Sequence, residues 1–184
     1  MKMLLLTIVI AIPTGAGTAC SAPLVVPPDT RPLGDVTAAP RECDLISANA
    51  IKIATGLNRY KASITKPDSS RHFTSCTVSD DGISEGERGL LIELLDPSEN
   101  DAEDLENTRL ATQAQQLPDG MGPGFAGRRK NAQNETVAFV YGWTPDYHRL
   151  LIVSIMQSTQ NRDSLADATE FFRQLKPVLL DEHE

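Results

Sequence analysis

The sequence predicts an α+β fold, with an antiparallel sheet of about four to five strands, two to three helices packed on one face, and one disulfide. Alternating apolar residues over 137–143 and an apolar stretch over 150–156 flank a proline-containing turn at 144–147, which is the pattern of a β-hairpin. Apolar residues recur at spacings of three and four over 165–179, which predicts an amphipathic closing helix. Strands joined by short loops pair antiparallel and leave the helices on one side.

The remaining elements follow from local patterns. A first helix is predicted from Asp44 or Ser47, which can cap it, to Gly56 near its end. Alternation over 72–79 and the apolar stretch 89–96 predict two strands, the second apolar on both faces and therefore central. Ser98 is the predicted cap of a helix that runs to about Gln116 with a thin apolar stripe. Other expected features are a glycine-rich loop over 117–127, a short strand beginning at Phe125, and a closing helix that Asp163 or Ser164 caps and Pro177 weakens or bends.

The N-terminus predicts export. Lys2 precedes a segment at 3–12 that is apolar at every position except Thr7, which suits a signal-peptide core and is too short to span a bilayer. The small residues 17–19 stand directly before Cys20, an arrangement that resembles the bacterial lipobox. We therefore expect a signal peptide at 1–19 and fatty-acyl chains, palmitate among them, on Cys20. The alternative is an ordinary secretory signal followed by an unrelated cysteine.

Residues 20–41 are predicted to form the lipidated cysteine and a proline-rich tether, and 42–184 a single α+β domain. Prolines at 23, 27, 28, 32 and 40 favour extended, semi-rigid backbone. A stalk of about 20 residues in this conformation reaches roughly 60 Å. The expected location is the outer face of a bacterial plasma membrane, with the domain held in the envelope by its lipid anchor.

The cysteine count predicts a disulfide. Of the three cysteines, lipidation would use Cys20 and leave Cys43 and Cys76. Thiols outside the membrane tend to oxidise, so these two are expected to pair. The alternative is two buried free thiols.

Composition and motif spacing exclude several functions. A formal net charge of −8 argues against nucleic-acid binding. The G-x-S-x-G match at 82–86 lies in a polar loop, without the strand and helix of a nucleophile elbow. The G-x-G-x-x-G match at 122–127 is followed by a basic run at 128–130 and then by a strand, whereas a phosphate cradle needs a helix at that point. The basic run could itself pair with an anionic ligand. The acidic stretch 96–107 lacks the glycine and bidentate ligand of an EF-hand, and His72 and His148 lack metal-ligand spacing. No catalytic residue, metal or cofactor is predicted.

One set of side chains is a possible ligand platform. Phe139, Tyr141 and Trp143 share one face of a predicted strand and could receive a glycan or a lipid. The alternative, which we favour, is that a helix packs on this row, since aromatic residues dominate core burial.

The segment Arg41-Glu42-Cys43-Asp44-Leu45-Ile46-Ser47 resembles the Cys-Asp-Leu-Leu-Thr opening of a family of secreted actinobacterial lipoproteins of unknown function. The resemblance extends to the second cysteine, the leucine-rich strand at 90–95, the glycine turn at 120–126 and the closing helix. It implies a lipid-anchored envelope domain and carries over no catalytic residue.

The expected function is a non-enzymatic binding or accessory domain with an envelope protein as its partner. The main alternative is a carrier that holds a small lipid or glycan in an apolar cavity. A hydrolase is the least favoured class, because it requires polar groups that converge in a cleft. The oligomeric state does not follow from the sequence.

Overall fold

The computed structural model describes residues 27–68, 73–81, 88–156 and 158–181. The signal peptide predicted at 1–19, Cys20, the start of the predicted tether, the G-x-S-x-G match and His72 lie outside these residues. No helix in the described ranges is long and apolar enough to span a bilayer. The helices and strands in these ranges, in chain order, are β1 (Arg41–Glu42), β2 (Ile46–Ser47), α1 (Ala48–Thr55), β3 (Tyr60–Thr65), β4 (Phe73–Asp80), β5 (Arg88–Leu95), α2 (Ala102–Thr112), β6 (Gln115–Gln116), β7 (Gly124–Lys130), β8 (Thr136–Trp143), β9 (Leu150–Ile155) and α3 (Ser164–Leu179).

The described part of the chain forms a seven-stranded sheet in the order β3-β4-β5-β9-β8-β7-β6, and a separate pair, β1 and β2. All neighbours pair antiparallel. The α+β class is confirmed, but the predicted four to five strands are too few. Edge strand β3 was not predicted, because half of its side chains face solvent and its apolar pattern is weak. The predicted hairpin is β8 and β9, whose register places Trp143 opposite Leu150.

Helices α1 and α3 cover one face of the sheet, which we call the α1/α3 face. Phe171 and Phe172 of α3 are fully buried in the main core, together with Val140 and Val153 from the sheet. Gly142 lets α3 come close, because a Cβ at this position would lie 2.1 Å from the Phe172 ring. This face is closely packed and contains most of the buried aliphatic side chains.

Helix α2 lies on the opposite face, which we call the aromatic face. Leu105 of α2 packs there with Phe125, Phe139 and Leu150 in a second, smaller core. The prediction that all helices share one face is therefore wrong for α2. Leu105 is the one residue of this helix that is buried, so α2 covers only a corner of the sheet.

Residues 29–40, which we call the N-terminal strap, lie against α3. The Asp29 amide donates to the Asn161 carbonyl at 3.0 Å, and the Val36 amide donates to Gln174 Oε1 at 2.9 Å. Leu33 and Val36 are buried in the main core. This part of the segment predicted as a tether thus packs on the domain, because its two apolar side chains fit beside α3.

The disulfide between Cys43 and Cys76 is confirmed. It joins the turn between β1 and β2 to β4, with a sequence separation of 33 residues. Cys76 is buried in the main core, so the bond lies on the α1/α3 face.

Both ends of α2 differ from their prediction, since the helix ends at Thr112 rather than near Gln116. Asp101, rather than Ser98, caps its start: the Asp101 carboxylate accepts from the amides of Glu103 and Asp104, and the Asp104 side chain accepts from the Asp101 amide, which completes a capping box. Asp163 caps α3 as expected, and the helix continues through Pro177 to Leu179. Ser47 stands at the N-cap of α1 without a side-chain bond, and Gly56 ends that helix in the left-handed conformation.

Candidate functional site

The structure distributes the predicted aromatic row between the interior and the surface. Phe139 is fully buried, so a ligand cannot reach its ring. Tyr141 is half-buried and stacks on Phe125, with ring centroids 5.0 Å apart. Trp143 is half-buried at the end of β8 and stacks on Tyr147, with centroids 6.2 Å apart and an angle of 20° between the rings. The accessible aromatic surface therefore consists of parts of Tyr141, Trp143 and Tyr147, of which Trp143 and Tyr147 stack on each other at the strand end.

The turn between β8 and β9 positions Tyr147. The Thr144 hydroxyl donates to Asp146 Oδ1 at 2.5 Å, and the same carboxylate oxygen accepts from the His148 amide at 3.1 Å. The Arg149 amide donates to the Thr144 hydroxyl at 3.0 Å. Tyr147 itself has a φ of 62°, an unusual conformation for a bulky side chain. These bonds hold the turn in the shape that places the Tyr147 ring beside Trp143.

A glycine turn supports Trp143 from the other side. Gly120 and Gly122 both have positive φ, a conformation that glycine adopts without steric cost. The Trp143 amide donates to the Pro123 carbonyl at 3.1 Å, which ties this turn to the end of β8. The expected glycine loop thus lies beside Trp143 and is hydrogen-bonded to it.

Trp143 separates two adjoining depressions, which together we call the Trp143 cleft. The first has a volume of about 640 Å³ and lies between the 144–149 turn and the end of α3. The second has a volume of about 480 Å³ and lies between α2 and the glycine turn. Gly122, Pro123 and Trp143 line both. A chain-like ligand could therefore contact both depressions at once.

Charges of both signs line the cleft in similar number. The ionisable side chains are Asp146, His148, Arg149, Lys176 and Asp181 in the first depression, and Glu106, Arg109 and Asp119 in the second. Many of them pair with one another or with neighbours: Lys176 lies 2.8 Å from Asp181, Arg109 lies 2.6 Å from Glu106, and Arg149 lies 3.2 Å from Asp96. The cleft therefore combines donors and acceptors without a strong net charge.

Hydrogen bonds lower the pKa of two of these carboxyls. The Thr144 hydroxyl and then the His148 amide hold the pKa of Asp146 below its usual value. The Arg109 guanidinium does the same for the pKa of Glu106. At neutral pH both groups are acceptors, so neither is placed to act as a general acid.

No family model, curated protein or solved structure matches this chain. The geometry of the cleft is therefore the basis for assigning a function. Its half-exposed aromatic pair and paired charges suit binding of a polar ligand.

The basic run at the end of β7 has partners within the domain. Arg128 lies 2.6 Å from Asp163, the Arg129 guanidinium lies 5.4 Å from the Phe139 ring centroid, and Lys130 donates to the Thr136 hydroxyl at 2.9 Å. The glycines before it lead into strand β7 rather than a helix. The phosphate-cradle geometry is therefore missing at 122–127.

The histidines and acidic residues considered in the sequence form no metal-binding cluster in the described residues. Among them, no group of three or more His, Cys, Asp or Glu side chains is placed to hold a metal ion. His148 lies 3.5 Å from Asp96 on the surface. Sequence analysis missed Tyr147, although the Pro145-Asp146 turn before it was recognised. Its proximity to Trp143 follows from the hairpin register and was a signal available in the sequence.

Proposed function

We propose that this chain is an extracytoplasmic lipoprotein, anchored through Cys20 to the outer face of a bacterial plasma membrane, whose domain binds an envelope component without catalysing a reaction. The observation that carries the binding role is the Trp143 cleft. It presents two half-exposed aromatic rings on a backbone that several hydrogen bonds hold in place. The resemblance to actinobacterial lipoproteins is consistent with this location.

The N-terminal strap supports an orientation for the anchored domain. Asp29 is bonded next to the start of α3, whereas Lys176 and Leu180 at the other end of α3 line the cleft. The helix has 16 residues, a length of about 24 Å at 1.5 Å per residue. Residues 21–28 would span at most about 29 Å at up to about 3.6 Å per residue. The cleft would thus point away from the membrane, toward the cell wall.

The carrier alternative has less support. It requires an enclosed apolar cavity. In the described residues, phenylalanine and aliphatic side chains fill the main core, and the clefts near Trp143 are open and lined by charged groups.

The anchor is tested by fractionating cells that express the full-length chain. We expect wild type in the membrane fraction, cleaved before Cys20 and carrying a diacylglyceryl mass on that residue. Cys20→Ser should lack the added mass and keep residues 1–19, because acylation of the cysteine precedes cleavage at such a site. The matched control is the double variant Cys43→Ser/Cys76→Ser, which loses cysteines but should be cleaved and acylated like wild type. Wild type without the added mass on Cys20 would contradict the anchoring.

Binding is tested by photo-crosslinking in intact cells. A photoreactive residue at His148, beside the cleft, should give an adduct that disappears when Trp143→Ala is added. The same residue at Ile64, which is 44% exposed on β3, serves as the control and should give none of that adduct. Equal adducts at both positions would remove the support for a specific site.

A further inference from the structure

The shape of the aromatic pair in the Trp143 cleft indicates which ligand it fits. Parallel rings in van der Waals contact lie about 3.5 Å apart. The Trp143 and Tyr147 centroids are 6.2 Å apart and the ring planes differ by 20°. The rings are therefore displaced sideways rather than directly superposed, and the pair forms a stepped, nearly parallel surface.

The polar groups around this surface can form hydrogen bonds with the hydroxyl groups of a ligand. A hydroxyl can donate to a carboxylate and accept from a guanidinium or an ammonium group. Asp146 and Arg149 lie on one side of Trp143, and Glu106 and Arg109 lie on the other. Because hydrogen bonds lower the pKa of Asp146 and of Glu106, both remain acceptors.

The balance of charge argues against an ionic ligand. The acids Asp146, Asp181, Glu106 and Asp119 face the bases Arg149, Lys176 and Arg109, with His148 beside them. A strongly anionic ligand would meet the four carboxylates, and a cationic one would meet the three bases. A neutral ligand rich in hydroxyls avoids both costs.

We propose that the Trp143 cleft binds a neutral glycan chain, with the apolar face of one pyranose ring on Trp143, the edge of Tyr147 beside that sugar, and neighbouring sugar rings in the two depressions. This inference rests on the proposed binding function and names its ligand class. The continuity of the two depressions through Trp143 favours an oligosaccharide over a single sugar, since each added ring buries more surface.

The test uses the fluorescence of Trp143, the single tryptophan of the chain. The full-length protein is titrated with linear oligomers of glucose and of N-acetylglucosamine, one to six units long. We expect a saturable emission change, at least about tenfold tighter for a tetramer than for the monosaccharide, and reduced acrylamide quenching in the bound state. No saturable response to any of these oligomers overturns the inference.

The ligand-contacting variant is Tyr147→Asn, because asparagine tolerates the positive φ at this position. It should weaken tetramer binding about tenfold or more, the scale of one aromatic contact. Ile64→Asn, at an exposed apolar residue outside the cleft, should leave binding unchanged. Equal binding by wild type and a folded Tyr147→Asn would place the sugar elsewhere and overturn the inference.

A proline oligopeptide distinguishes the other class of ligand. Aromatic grooves also receive polyproline segments. A saturable response to that peptide, with none to the sugars, overturns the glycan assignment while leaving the binding function in place. If neither the sugars nor the peptide changes the fluorescence, and the crosslink at His148 is also absent, the proposed binding function itself is contradicted.

Discussion

The two faces of the sheet are built from different residues and are covered to different extents. The α1/α3 face is aliphatic and lies under two helices and the N-terminal strap, with Phe171 and Phe172 fully buried. The aromatic face has a smaller core under one residue of α2, and its outer rings Tyr141 and Trp143 are half-buried. A polar helix with one apolar contact cannot seal a sheet, so aromatic surface remains available to a ligand. Stability thus comes mainly from one face, whereas the proposed binding site lies at the other.

The largest expected effect is the loss of a phenylalanine from the α1/α3 face. Phe172→Ala should lower the free energy of unfolding by about 3–5 kcal/mol, because it leaves a cavity among closely packed side chains. Tyr141→Ala, on the aromatic face, should cost clearly less, since its ring is half-buried. Denaturant unfolding measures both. A cost for Tyr141→Ala equal to that for Phe172→Ala would show that the aromatic face is a full core.

The disulfide should contribute nearly as much as Phe172 to the free energy of unfolding. Cys43→Ser/Cys76→Ser should lower the free energy of unfolding by about 3–4 kcal/mol, the chain-entropy value for a loop of this length. The emission of folded Trp143 should not change, because the bond lies on the other face of the sheet. Reduction of wild type should reproduce the loss. A shifted Trp143 emission in the folded variant would mean that the faces are coupled.

The sequence predicted what depends on local pattern. The β8–β9 hairpin was visible because alternation and a proline turn occur within a few residues, and α3 because its apolar stripe is long. The disulfide followed from the number of cysteines and the expected compartment. The glycine turn beside Trp143 was also recognised from composition.

The remaining features depend on contacts between distant residues. The pairing of β5 with β9 joins Leu90 to Ile155 across α2 and three strands, and no local pattern encodes it. The strap was read as a tether because of its prolines, but Leu33 and Val36 pack on α3. The side on which α2 packs depends on one residue, Leu105. The cleft was found only in part, because the end of α3 and helix α2 meet Trp143 only through the fold.

Glycine-to-alanine substitutions compare the packing of the two faces directly. A Cβ at Gly142 would lie 2.1 Å from the Phe172 ring, so Gly142→Ala should destabilise by about 1–3 kcal/mol through overpacking. A Cβ at Gly127, on the aromatic face, would lie 3.1 Å from Ala114 and Phe139. Small shifts there suffice, and alanine restricts the unfolded chain, so Gly127→Ala should change stability by less than about 1 kcal/mol. Equal losses in thermal unfolding would mean that both faces are equally rigid.

The smallest expected effect concerns the strap, which only the α1/α3 face possesses. Arg31 donates to Asp29 from its side chain, at 2.6 Å and 2.9 Å, and from its amide, and Arg162 lies 3.4 Å away. The Arg31 hydrogen bonds hold the pKa of Asp29 well below its usual value. A carboxyl with a lowered pKa in the folded state stabilises the fold above its unfolded pKa of about 3.9 and loses that contribution as the pH falls.

Asp29→Asn tests this dependence. Wild type should be more stable than the variant at pH 7, and the difference should shrink as the pH drops below about 4. Burial is the main cause of the raised pKa of neighbouring Asp167, and the Asp29 charge raises it further, so the variant also changes the contribution of Asp167, which has the opposite pH dependence. Hydrogen exchange at the Val36 amide, which bonds to Gln174, should rise in the variant. A difference that stays constant with pH would mean that Asp29 holds the strap through its shape rather than its charge.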